Sequence, residues 1–172
     1  FNRSIPWVTG GTSVVFPMLL KKQVPKGINH FRVGEALYFG NNLFEDGAPI
    51  EGMEQQVFTL FAEIIEVTKK PKIPTGTLGT NPSGDMLTID EEDYGKESYR
   101  AILDIGLLDI NPSYLTPLLN GIEVVSASSD MLVIDLGENE ADLSIGDKLS
   151  FSLDYMGALQ LFNSDYIAKE LV

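Results

Sequence analysis

Apolar and polar positions alternate most clearly in the middle of the chain. Val57, Thr59, Phe61 and Glu63 alternate with Phe58, Leu60, Ala62 and Ile64. That pattern predicts a long strand to about Val67, apolar on nearly both faces and ended by Lys69, Lys70 and Pro71. Shorter strands follow at 99–105, 122–126, 131–136 and 148–153, separated by turn signals at Asn111-Pro112, Asn120-Gly121, Gly137 and Gly146-Asp147. Residues 155–162 read as one short helix and 166–171 as a final strand. Several short strands at this spacing predict a mainly β fold, a small barrel or sandwich. Residues 71–96 interrupt it with Pro71, Pro74, Gly76, Gly79, Pro82, Gly84 and Gly95 and an acidic run over 90–93. A long irregular excursion of this kind is often functional.

The first forty residues follow another pattern, an apolar strand, then glycine, then an apolar helix, met twice. Ile5, Trp7 and Val8 lead into Gly10-Gly11, and Thr12 and Ser13 then offer hydroxyls suited to a cap before an apolar helix from about Thr12 to Leu20. Residues 14–20 are apolar almost all round and interrupted by Pro17, so the helix is expected to be short and covered. Lys21, Lys22 and Lys26 form a small solvated basic cluster. Phe31 and Val33 mark a second buried strand that stops at Gly34 and passes into an apolar turn or helix ending at Gly40. Residues 41–55, with Gly47, Pro49 and Gly52, read as a linker. The expected division is an α/β portion at 1–45 and a β domain at 46–172.

Composition narrows the classes of function. Twelve basic against 25 acidic residues in 172 give a net charge of −13, which argues against nucleic acid or an anionic membrane as a partner. The absence of cysteine excludes disulfide and thiolate chemistry and is compatible with a reducing compartment, so a cytoplasmic location is expected. No apolar run approaches the ~20 residues of a membrane span. The first residue is Phe1 rather than Met, and the expectation is a chain that starts mid-protein. No cluster of His and carboxylates has metal-ligand spacing, and no metal is expected.

The two strand–glycine–helix units carry the candidate chemistry. Backbone N–H groups of Gly34 and Glu35, at the start of a helix, lack intrahelical partners and suit an anion. Arg32 can point a fixed cation above the strand ends, and a buried arginine paired with one of the many carboxylates fits the spacing equally well. Thr12 and Ser13 from the first unit can converge on the same phosphate, the arrangement found at the last loops of a (β/α)8 barrel. His30 is the only histidine, and a lone histidine at a strand entry is more often packed or solvated than catalytic.

Residues 9–13 (Thr-Gly-Gly-Thr-Ser) followed by 32–40 (Arg-Val-Gly-Glu-Ala-Leu-Tyr-Phe-Gly) resemble the pyridoxal-phosphate (PLP) amino-acid racemases of the alanine racemase class, in the branch that includes ornithine racemase. Residues 100–106, 127–135, 146–148 and 151–155 agree in order, and the resemblance covers nearly the whole chain as the second half of such an enzyme. It implies the last strand–helix units of a PLP-binding (β/α)8 barrel followed by a C-terminal β domain. It also implies that Ser13, with Thr12 as its neighbour, bonds the PLP phosphate together with the N–H groups of Gly34 and Glu35. Arg32 would face the pyridine nitrogen, and Tyr155 matches a tyrosine whose hydroxyl reaches the phosphate. An arginine donates a hydrogen bond without making a pyridinium, so the ring is a weaker electron sink, which suits racemisation.

Racemisation needs two acid/base groups, one for each face of the substrate carbon. The Schiff-base lysine implied for one face lies outside this chain, so the segment is expected to be inactive alone. The tyrosine implied for the other face would follow Gly106, where this chain holds Leu107, which cannot carry a proton. Ser129 and Asp130 match a stretch that approaches the substrate carboxylate from a neighbouring subunit, and are the candidate substrate contacts, while Asp130 as a turn residue capping the next strand fits equally well. A homodimer sharing its active sites, acting on a free amino acid such as ornithine, lysine or alanine, is implied. Two other classes stay open: a non-catalytic β dimerisation or interaction module, and a PLP-binding protein without racemase activity.

Overall fold

A computed structural model describes residues 3–76, 79, 80, 84 and 90–171. Much of the expected 71–96 excursion lies outside the described residues. The chain forms two compact units, Phe1–Val57 and Phe58–Val172.

In the first unit, two extended runs lie parallel and meet in a bridge between Thr9 and His30. Asn29 N–H and His30 N–H donate to Val8 O, Gly10 N–H to His30 O at 3.1 Å, and Arg32 N–H to Gly11 O at 3.0 Å. The Asn29 side chain locks the register, accepting from Val8 N–H and donating to Pro6 O, both at 2.8 Å. After the first run comes a 3-10 turn at Ser13–Val15, then α1 (Phe16–Leu20), which starts later than the expected Thr12, with Pro17 in its first turn, where a missing N–H costs nothing. α1 buries none of its residues in this chain. The second run leads into α2 (Glu35–Phe39), which stops at Gly40, where φ is +60°. A Cβ there would stand 2.6 Å from Glu54 O, so glycine is needed for conformation and for space.

The stretch expected as a linker folds back instead. β1 (Asn41–Asn42) pairs with β2 (Ala48–Pro49), and Ile50 N–H returns to Gly40 O at 2.7 Å. Asn42, buried to 7% exposure, accepts from Phe44 N–H and makes the tight turn that the Gly and Pro content signalled only as loop.

The second unit is one antiparallel sheet of six strands, β3 (Thr59–Pro71), β4 (Glu97–Leu103), β5 (Leu115–Pro117), β6 (Glu123–Ala127), β7 (Leu132–Asp135) and β8 (Lys148–Leu153), in the order β5-β8-β3-β4-β7-β6. It curls into a nearly closed β barrel. β3 is the long strand of the sequence and serves two neighbours. Residues 59–63 pair with β8 and residues 64–71 with β4, with a bulge between Ile64 and Glu66 at the handover. Bulges bend a strand and increase its twist, which is what a barrel corner requires.

Leu60, Ala62 and Ile64 point inward and meet Ala101, Leu103, Leu132, Ile134, Leu149 and Phe151 in the core. Each fully buried aliphatic or aromatic side chain contributes about 1.5–3 kcal/mol. The outward positions of β3 mix Thr59 and Glu63 with two apolar residues, Phe61 and Ile65, which stand 63% and 43% exposed.

α3 (Tyr155–Asn163) follows β8 at once because Asp154 caps it, accepting from Gly157 N–H at 2.7 Å. Gly157, Ala158 and Leu161 face the core. The final strand expected at 166–171 does not form. Tyr166 and Leu171 are fully exposed, and the segment has no strand to pair with among the described residues.

Candidate functional site

The two glycine loops of the first unit meet. Gly34 N–H donates to Ser13 Oγ at 3.1 Å, and Ser13 is buried to 8% exposure while its neighbour Thr12 is exposed. The strands expected here reduce to one isolated parallel bridge at Thr9 and His30, which sets both loops at the same end of the two runs and brings residues 21 apart in sequence into contact. A Cβ built on Gly34 would meet nothing within 4 Å, so open space lies against this backbone. Glu35 follows as the first residue of α2, half-buried, and its Oε1 accepts from Asn41 Nδ2 at 3.4 Å.

Arg32 lies two residues before Gly34 and is exposed. No carboxylate pairs with it among the described residues, so the reading of a buried, ion-paired arginine does not hold. The loops therefore offer an uncommitted cation, one buried and one exposed hydroxyl, and backbone N–H groups without intrahelical partners. A donor set of that kind suits a phosphate and a neighbouring acceptor.

His30 carries contacts that the sequence reading missed. Its ring stacks on Trp7, with centroids 5.2 Å apart and planes inclined by 3°, and its Nδ1 lies 2.9 Å from Thr9 Oγ1. The only available signal was the shared alternation of Trp7 and Thr9 on one strand and His30 and Arg32 on the other.

In the second unit, the segments around Leu107 and Asp130 cross at a glycine. Leu107 N–H donates to Ser128 O and Leu108 N–H to Ser129 O, each at 2.9 Å. A Cβ on Gly106 would fall 2.4 Å from Asp130 C and Met131 N and 2.5 Å from Ser129 O, so only glycine admits the crossing. Ser129 donates to Asp130 Oδ2 at 2.6 Å, and both side chains are exposed. Leu107 is half-buried and packs on the core, while Leu108 is 77% exposed. Asp109 is committed to the turn, accepting from Gly106 N–H and Ser164 Oγ, both at 3.4 Å. Tyr155, half-buried, opens α3 directly after the Asp154 cap.

Three carboxylates outside these groups are held below their usual range. Glu66 is lowered by hydrogen bonds from Lys70 and Thr68. Asp93 is lowered because hydrogen bonds from Lys72 and Lys96 outweigh a desolvation that acts the other way. Asp147 is lowered by the backbone and side chain of Ser144. Among the described residues there is no cluster of acidic or histidine side chains that could hold a metal ion, and no helix long and apolar enough to cross a membrane.

Comparison with known proteins adds sequence relatives and a fold. No family model matches the chain. It is 36% identical over 172 residues to the ornithine racemase of Acetoanaerobium sticklandii, covering 100% of this chain and 48% of the relative. It is 34% identical over 169 residues to the lysine racemase of Thermotoga maritima, covering 98% of this chain and 46% of the relative. The chain thus spans about half the length of the curated relatives it matches. In fold it is similar to the crystal structure of alanine racemase from Oenococcus oeni, with a TM-score of 0.60 at 19% identity over 96% of this chain and 48% of that one. The alanine racemase of E. faecalis gives a TM-score of 0.55 at 22% identity over 93% of this chain and 41% of that one. In sequence the chain is thus similar to about half of an ornithine racemase and of a lysine racemase, and in fold it is similar to about half of the alanine racemases.

Proposed function

We propose that this chain is the C-terminal portion of a PLP-dependent racemase that interconverts the L and D forms of a free amino acid. The observation that carries the reading is the meeting of Ser13 Oγ and Gly34 N–H at 3.1 Å, with the uncommitted Arg32 two residues away. The names of the relatives favour ornithine or lysine as substrate, and those of the fold neighbours point to alanine.

The residues present fit the cofactor. Thr12 and Ser13 hydroxyls and the Glu35 N–H would hold its phosphate, with Gly34 N–H, which here donates to Ser13 Oγ, turning to it, and the open space against Gly34 would let that group approach the backbone. Arg32 would donate to the ring nitrogen and, because a guanidinium keeps its protons at any physiological pH, would leave that nitrogen unprotonated. PLP, when bound, supplies the electron sink that makes the substrate Cα–H acidic. Ser129 and Asp130 contact the substrate, and Ser129 holds the Asp130 carboxylate in one orientation. Leu107 moves no proton, so the second acid/base group is a different residue. The working form is a homodimer in the cytoplasm with active sites shared between subunits.

The test is a chiral assay on the full-length protein, following circular dichroism of L-ornithine, L-lysine and L-alanine. Decay of the signal to zero for at least one substrate, dependent on added PLP, is expected. A signal that persists for all three, with the protein folded and PLP bound, would leave a PLP-binding protein without racemase activity.

A further inference from the structure

We infer that His30 is a positioning residue for Arg32, itself held by Thr9 and Trp7. The inference rests on the role proposed for Arg32 above. Alternate residues of an extended run share a face, about 6.6 Å apart. Trp7 and Thr9 share one face with His30, as their contacts with its ring show. The N–H groups of His30 and Arg32 both donate to the first run, so positions 30 and 32 are in phase and Arg32 is the next residue of that face along the second run. Gly34, with its bond to Ser13, is the next again. The order along the run is therefore His30, then Arg32, then the phosphate loop.

The imidazole is fixed in both of its freedoms. Stacking on Trp7 at an interplanar angle of 3° sets the ring plane, and the 2.9 Å contact from Thr9 Oγ1 to Nδ1 sets its rotation. Ordering two ring side chains costs conformational entropy, so the arrangement is not a default of a half-solvated strand. A threonine hydroxyl can accept from Nδ1–H, and the neutral ring then carries its lone pair on Nε2. Among the described residues Nε2 has no partner. Arg32 is the complementary group, with five N–H donors, no acceptor, and no partner among the described residues. An acceptor without a donor thus lies one face position behind a donor without an acceptor. With Nε2 accepting from one guanidinium N–H, the remaining donors of Arg32 are aimed forward.

The experiment measures PLP affinity by equilibrium dialysis, with melting temperature as the folding control, on the full-length protein. Variants are His30→Leu, His30→Gln, Arg32→Lys and the double variant H30L/R32K. His30→Leu is expected to weaken PLP binding about tenfold, the scale of a hydrogen bond to a charged group, with little change in melting temperature. His30→Gln places an amide oxygen near the Nε2 position and is expected to recover most of that loss. In the R32K background the cost of H30L is expected to shrink to less than about threefold, because residues acting through one another are not additive. Costs that multiply in the double variant, an unchanged affinity in H30L, or no recovery by Gln would overturn the positioning role and leave the racemase reading standing. A full-length protein that takes up no PLP at all would overturn both.

Discussion

Gly106→Ala puts the crossing of the two loops in the second unit to the test. The new Cβ would lie 2.4 Å from Asp130 C and Met131 N and 2.5 Å from Ser129 O. All three are backbone atoms, so no side chain can rotate away and one loop must move. Such overpacking costs about 1–3 kcal/mol. The displacement also strains the bonds from Leu107 N–H to Ser128 O and Leu108 N–H to Ser129 O, both 2.9 Å, each worth about 0.5–1.5 kcal/mol net. A loss of about 3 kcal/mol is expected. Urea unfolding followed by far-ultraviolet circular dichroism measures it, and with an m-value of about 2 kcal/mol/M the midpoint falls by about 1.5 M. The variant also changes how Ser129 and Asp130 are presented, so substrate affinity should fall with stability. A midpoint within about 0.2 M of the parent would refute the reasoning, since the loops would then separate at no cost.

Other perturbations give contrasting outcomes. Gly34→Ala meets nothing within 4 Å, so it should leave stability within about 0.5 kcal/mol while weakening PLP binding about tenfold by filling the approach to the phosphate. Phe151→Ala empties the barrel core at a side chain with 0% exposure and should cost about 3–5 kcal/mol in the same urea assay. Asp147 accepts from Ser144 N–H at 2.8 Å and Ser144 Oγ at 2.9 Å, which holds its carboxyl below the usual range. A depressed folded-state value means the contribution is present above the unfolded-state pKa and is lost as pH falls through the folded one. Asp147→Asn should therefore lower the melting temperature at neutral pH and flatten its decline on acidification. An unchanged acid slope would place that dependence elsewhere.

Much of the fold was legible because hydrophobic periodicity reports burial directly. β8 was placed at its observed bounds, and β3 was found because Leu60, Ala62 and Ile64 alternate with outward positions. Phe61 and Ile65 on its outer face were legible as apolar too, and both stand exposed. Three features escaped. β5 is only three residues long, too short to show a period. The turn over 41–56 looked like a linker because Asn and Gly signal a turn without telling what the turn packs against. The 166–171 stretch had strand-like residues and no partner, and pairing is not a local property. At the candidate site, the convergence of the two glycine loops was readable from their shared grammar, while the Trp7–Thr9–His30 contacts depend on the register between two strands. The meeting of Leu107 with Ser128 likewise needed the sheet order, which brings β4 beside β7.

The central claim is that Ser13, Gly34 and Arg32 form the cofactor cradle of an amino-acid racemase. The most direct measurement is PLP binding by the full-length protein, by absorbance titration, compared with its Ser13→Ala and Arg32→Leu variants at matched melting temperature. The account predicts saturable binding in the parent, weakened about tenfold or more in each variant, as expected for lost hydrogen bonds to charged or strongly accepting groups. Equal binding in all three would contradict it.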